Sequence, residues 1–383
     1  MTVIGCSFAL AGSQIVPLLY FSLGNTIANA LNALDIAVWL VTAFVIAMGA
    51  LAPFVGPLAD LFGRKPLFLV GLTSSTIGGI LCASTPNVAG FIAGQVFLGC
   101  GAVIQELLSI SIVAESVPTA KRSLYAALIL ITILPWSPGT LYGNLIVEAS
   151  WRWIGCTLAI WNVITLAIIA YFYRPPPRVN SLGLSRKEMI ARIDFLGGGL
   201  VIGGMIFFLV GLNWGGQQYG WSSAHVRSFL LVGAVLLIAF GFWEKFGAPY
   251  PLFPRRIVHA PRPFFCLLFV IFAAGINFVA IVVFWPIQST SVYGTNHFRT
   301  GINSLPIGIC IIGGGILSAV LLGLFKNHVT FIMTFFCVMQ TVGKSNTSPK
   351  RSFSCLTNSQ RLHVSSSLTP ITFAQPSPPS SSP

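Results

Sequence analysis

The sequence predicts an all-α fold, a polytopic bundle of transmembrane helices, and three observations carry that prediction. First, 55% of the 383 residues are hydrophobic and only 8% are charged, whereas soluble domains hold about a quarter charged residues. Second, the apolar residues gather into runs close to the roughly twenty needed to cross a bilayer core, and the mean hydropathy is +0.85. Third, the cations fall between those runs, and they do so unevenly. A net charge of +13 on a soluble chain would suggest nucleic acid. In loops between spans it reads instead as a topological signal, and no nucleic-acid partner is expected.

The runs place spans at residues 3–23, 38–55, 66–83, 88–113, 124–147, 153–173, 195–212, 226–246, 264–285 and 302–325. The first begins almost at Met1, with neither a basic leader nor a small-residue cleavage site, so it is expected to be a retained span and not a cleaved signal. The second and third flank a short connection, Gly56-Pro-Leu-Ala-Asp60-Leu-Phe-Gly63-Arg64-Lys65, whose glycines permit a tight turn and whose Asp60 can cap a helix end. The fourth carries Glu106 after Gly99-Cys-Gly101. The fifth carries Pro138-Gly139 and Gly143, and the sixth follows Trp151-Arg-Trp153. An eleventh apolar run, 329–342, is shorter than a span normally is.

With the N-terminus inside, the inner loops hold Arg64, Lys65, Lys121, Arg122, Arg174, Arg178, Arg186, Lys187, Arg192, Lys245, Arg255, Arg256, Arg262 and Lys326. The outer ones hold only Arg152, Arg227 and Arg299. One miscounted span would scramble that asymmetry. The longest inner loop, 174–194, opens on three prolines. It contains Ser185-Arg-Lys-Glu188, a capping box followed by Met189, Ile190 and Ile193 at helical spacing, which fits an amphipathic surface helix or a plain solvated linker. From Gly343 the chain turns Ser/Pro-rich in the middle of an apolar run and is expected to be disordered.

Glu106 stands well inside a span. A charge at mid-helix costs about 2.5–3.5 kcal/mol on insertion scales, so a carboxyl kept there faces the bundle interior or a water-filled cavity. It is either a proton or cation site or a structural group bonded to a neighbouring helix. The eight cysteines are scattered with no C-x-x-C, and the five histidines lack metal spacing. No Ser/His/Asp, H-E-x-x-H or G-K-[S/T] pattern appears, so the sequence supports neither an enzyme nor an ATP-driven pump, and no cofactor or metal is expected.

The G-x-L-A-D-x-x-G-R-K stretch resembles the cytoplasmic loop between helices 2 and 3 of the major facilitator superfamily. Further residues resemble its fungal fourteen-span drug:proton antiporter branch, most closely the trichothecene efflux pump family. They are Trp39, Glu115-Ser-Val-Pro118 with Arg122, Trp151-Arg-Trp153, Asp194-Phe-Leu-Gly197, Leu212-Asn-Trp-Gly-Gly216 and Leu252-Phe-Pro254. The resemblance runs from about Phe8 to Phe325. It implies a six-helix half at 1–173, the loop 174–194, two inserted spans at 195–246, a partial second half at 247–342 and a tail at 343–383. It implies that Gly56, Asp60, Gly63, Arg64 and Lys65 form a conformational latch, that Glu115, Pro118 and Arg122 belong to a cytoplasmic motif, and that Pro138, Gly139 and Gly143 echo a helix-kink motif. In the fourth span Gln95 stands where the wider superfamily's antiporters have arginine, leaving Gln95 and Glu106 as the candidate proton or substrate pathway.

The function so implied is proton-coupled export of a small amphipathic organic compound by a monomeric carrier in the plasma membrane. The alternatives are siderophore-iron uptake and a fragment that inserts but does not transport.

Overall fold

The computed structural model describes residues 2–118, 121–175, 194–216, 218–249, 261–291, 297–325 and Phe335. The capping-box segment of the long loop, the Leu252-Phe-Pro254 motif, nearly all of the eleventh apolar run and the Ser/Pro-rich tail lie outside these residues. Within them every named element is helical, apart from one bridge between Gly215 and Tyr219.

The helices, in chain order, are α1 (Thr2–Tyr20), α2 (Gly24–Ala30), α3 (Trp39–Phe62), α4 (Arg64–Ser84), α5 (Val88–Ser116), α6 (Arg122–Ile131), α7 (Gly139–Ala149), α8 (Arg152–Phe172), α9 (Phe195–Trp214), α10 (Ala224–Phe242), α11 (Pro261–Val279), α12 (Trp285–Ser291) and α13 (His297–Leu324). Eight helical stretches are long and apolar enough to cross a membrane. The two remaining expected spans are present in altered form. The fifth is broken into α6 and α7 around a 3-10 turn at Leu134–Trp136, and the ninth carries a π-helical turn at Ala280–Phe284 between α11 and α12.

Helix ends are fixed by local chemistry. Asn87, Asp194 and Ser223 each accept a hydrogen bond from the backbone N–H three residues on, capping α5, α9 and α10. After α5, Val117 is extended, as a residue before proline must be.

Within α1–α8 the buried apolar residues form two layers along the helix axes. One contains Leu10, Val55, Phe68, Leu108 and Ile169, the other Leu19, Phe44, Phe91, Trp151 and Leu158. Met48, Trp136 and Trp161 pack against both. Helices in lipid gain little from the hydrophobic effect and rely on close packing. Glycine supplies it: a Cβ on Gly71 would lie 2.8 Å from Ile104 Cβ, and one on Gly155 2.6 Å from the carbonyl of Gly79. These contacts draw α4 against α5 on one side and against α8 on the other. Helix α13 packs along α6 and α7, and α9 pairs with α10 and lies along α3.

Trp151 is buried and meets Phe91 edge to face at 5.8 Å, with the Arg152 guanidinium 4.6 Å above its ring. Trp153 is exposed. The first tryptophan of that triplet is core and the second stands on the surface.

Candidate functional site

The stretch from Gly56 to Lys65 is more helical than an open hairpin. Gly56 to Phe62 complete α3, whose buried face continues through Val55 and Ala59, and Arg64 begins α4. The whole turn is made at Gly63, with φ 96° and ψ 150°, a conformation essentially confined to glycine. Asp60 is therefore exposed in the last turn of α3, and the cap position of α4 is Gly63 itself, without a side-chain cap. The expected capping role of Asp60 is not realised on any described helix, because α3 runs straight past it.

The two cations fasten three helices together at this end of the bundle. The Arg64 guanidinium pairs with the Glu115 carboxylate in the last turn of α5. Lys65 Nζ donates to the carbonyl of Ala170 in α8 at 2.8 Å. With Glu115 61% exposed, solvent screening limits the ion pair to about 0–1 kcal/mol. Its role is to set geometry more than to add stability. Tyr173, just past the end of α8, is buried in this cluster. Pro118 follows the end of α5, and Arg122 opens α6 exposed.

Glu106 lies ten residues before the end of α5, about 15 Å along the axis. Its carboxylate accepts a hydrogen bond from Gln14 Nε2 of α1 at 3.3 Å. Next to it, buried Gln105 donates to Ser75 Oγ at 2.7 Å and to Asn162 Oδ1 at 3.0 Å, tying α5 to α4 and α8. The Gln105 Oε1 and the Ser109 hydroxyl are buried with no partner among the described residues. Gln95 is buried on the same face of α5 as Glu106, and its Nε2 also lacks a partner. Eleven residues separate the two, about 16 Å of helix. The structure puts them on one stripe without bringing them together.

Pro138 ends the 3-10 break and caps α7. A Cβ on Gly139 would lie 2.6 Å from Leu18 Cβ, and one on Gly143 3.0 Å from the Leu19 carbonyl, so both glycines seat α7 on α1. The opposite side of the same segment meets α13. There a Cβ on Gly301 would come within 2.8 Å of Leu141 Cα, and Gly308 lies against the Ser137 carbonyl. Beside this seam is a small cavity lined mostly by apolar side chains, with the hydroxyls of Ser137, Thr140 and Ser304 and the ring of Trp285. The Trp285 N–H is buried with no partner among the described residues.

Gln14, Ser75, Gln105 and Asn162 were not singled out in the sequence. Each is a polar residue inside an apolar run, and that signal alone marks it as having a partner on another helix.

The model of the fungal trichothecene efflux pump (TRI12) family matches residues 2–332. Among curated proteins, the MFS-type transporter phomT of Diaporthe leptostromiformis is 30% identical over 327 residues, 83% of this chain and 54% of that protein. The aspyridones efflux protein of Neocamarosporium betae is 28% identical over 309 residues, covering 80% and 54%. Efflux pump FUS6 of Gibberella fujikuroi is 26% identical over 326 residues, covering 82% and 56%. The chain spans about half the length of the curated relatives it matches. Among solved structures, the xylose transporter XylE from E. coli has a TM-score of 0.43 and 16% identity, covering 86% of this chain and 85% of that one.

Proposed function

The chain belongs to the fungal trichothecene efflux pump family, and from that premise we propose that it carries the first half, the inserted pair and the start of the second half of a proton-coupled exporter. The observation that carries this reading is the fastening at the Gly63 turn. A glycine-only conformation delivers Arg64 to Glu115 of α5 and Lys65 to the Ala170 carbonyl of α8, which fixes the motif within the α1–α8 body, where the family's latch would be presented to the second half.

Glu106 is the proton-site candidate. Its carboxylate sits deep in α5, and the Gln14 amide can donate to it when charged and accept from it when protonated. Such a pair changes partner strength with protonation without leaving either group orphaned. The substrate class is a small amphipathic organic molecule. Membership of the trichothecene efflux pump family supports that class. A siderophore-iron chelate calls for a wider and more polar surround. The expected location is the plasma membrane, where export from the cytoplasm has effect.

The test uses a chimera in which residues 1–325 are continued by the remainder of FUS6, reconstituted in liposomes with a transmembrane pH gradient. A trichothecene should move against the proton gradient, and flux should stop when an ionophore collapses it. Flux that persists without the gradient would overturn proton coupling. Uptake of a ferric siderophore in place of the trichothecene would overturn the substrate reading.

A further inference from the structure

Of the two helices between α8 and α11, the first, α9, lies along α3 from Trp39 to Phe54. At one end Asn213 Nδ2 donates to Thr42 Oγ1 at 3.0 Å, and Trp214 meets Trp39 edge to face with ring centroids 6.2 Å apart. Midway, a Cβ on Gly49 would lie 4.0 Å from the Met205 methyl. At the other end Gly198 lies under the Phe54 ring, where a Cβ has no room. Residues 198, 205 and 213 recur about every seven positions, the period that keeps one helix face on a single neighbour.

Helix α10 is knitted to α9 in turn. Cβ atoms on Gly204 and Gly211 would lie within 3.1 Å of the backbone nitrogens of Leu237 and Leu230, and Phe208 packs on Gly233. The hairpin is closed at its open end by Asp194. That carboxylate is buried, accepts the backbone N–H of Gly197 at 2.8 Å, and accepts the Trp243 indole N–H at 3.0 and 2.9 Å. An acid capping its own helix therefore also holds the far end of the next one.

We propose that α9 and α10 are a fixed part of the α1–α8 body: in an alternating-access cycle the pair moves with α3 as one rigid unit. The inserted pair is a buttress on α3 and not a swinging linker. The motion rests on the carrier reading, but the attachment can be read without any transport.

The full chain, tagged at its N-terminus and carrying protease sites within 176–193 and 250–260, is purified in mild detergent, cut at both sites and passed over affinity resin. The α9–α10 fragment should be retained with residues 1–175, and Gly198→Phe combined with Thr42→Leu should release most of it. A wild-type pair that washes away overturns the proposal. To separate release from misfolding, Thr42→Cys with Asn213→Cys, in a background without the native cysteines, is treated with a short bifunctional thiol reagent in membranes. Cross-linking should approach completion and leave export by the FUS6 chimera unchanged. Export arrested by the cross-link overturns the shared motion. Export absent both with and without it overturns the carrier reading and the motion that depends on it, while the resin result still decides the attachment.

Discussion

Replacing Gly63 by alanine tests whether the α3–α4 turn is as constrained as its geometry indicates. Gly63 has φ 96° and ψ 150°, a backbone region where a Cβ meets its own carbonyls, and holding a non-glycine residue there costs about 1–3 kcal/mol. The same motif contains an internal control. Gly56 is helical, and a Cβ on it would have no neighbour within 4 Å. Gly56→Ala should thus be neutral or stabilise by about 0.5–1 kcal/mol, because alanine loses less backbone entropy in a helix. The two variants, seven residues apart, should differ by about 1–4 kcal/mol, about fivefold to several-hundredfold in the folded-to-unfolded ratio, since about 1.4 kcal/mol is one decade. The assay is unfolding of the purified chain in mixed micelles by increasing denaturing detergent, followed by far-ultraviolet circular dichroism. Equal stability of Gly63→Ala and wild type, or equal damage from both substitutions, would refute the argument from backbone strain.

Further outcomes follow from other contacts. Glu106→Gln should leave insertion and folding intact, since an amide can still bond Gln14, but should remove the pH dependence of export by the FUS6 chimera; unchanged pH dependence makes Glu106 structural. A double-mutant cycle of Arg64→Ala and Glu115→Ala should give a coupling of about 0.2–1 kcal/mol that shrinks in high salt, and a coupling of several kcal/mol would contradict the exposure of Glu115. Single cysteines at Arg186 and Arg299 should react with an impermeant thiol reagent from opposite sides of the membrane; reaction from one side would break the assigned topology. Gly308→Leu forces a side chain into the Ser137 backbone and should raise thiol labelling of Thr140→Cys several-fold by wedging the α7–α13 seam, and unaltered labelling would show that the seam does not control access.

The spans were legible because crossing a bilayer demands a long apolar run, and a run of twenty leaves a strong trace. Where they end was less so. Hydropathy stops at Gly56, yet α3 continues two more turns through Asp60, because Ala59 is still buried. The break at Leu134–Trp136 left no gap in hydropathy, and what marked the place was proline, since Pro135 and Pro138 each lack a backbone donor. The turn motif between α3 and α4 was legible for the opposite reason, being local: glycine, arginine and lysine at fixed spacing need no partner to be noticed. The Gln14–Glu106 pair joins residues 92 apart, and no spacing rule reaches across that distance. The Phe91–Trp151 contact was illegible on the same ground, because the two rings come from different helical segments.

On the carrier reading proposed above, some fastenings must hold through the cycle and the α7–α13 seam must part. Helices α4, α5 and α8 are held at one end by an ion pair and a Lys–carbonyl bond, and inside by the Gln105 bonds to Ser75 and Asn162. Helices α3, α9 and α10 are joined by Asn213–Thr42 and by Asp194–Trp243. Directed bonds of this kind resist sliding as well as separation. The seam of α13 on α7 carries close glycine packing, Gly301 on Leu141 and Gly308 on the Ser137 carbonyl. Dispersion between packed atoms is short-ranged, and a gap of 0.5–1 Å already forfeits about a quarter to a half of it. A glycine seam is therefore either fully closed or largely lost, which gives an interface two arrangements instead of a continuum. A carrier that must expose its interior to each side in turn needs that behaviour at the boundary between its halves and the reverse behaviour within each of them.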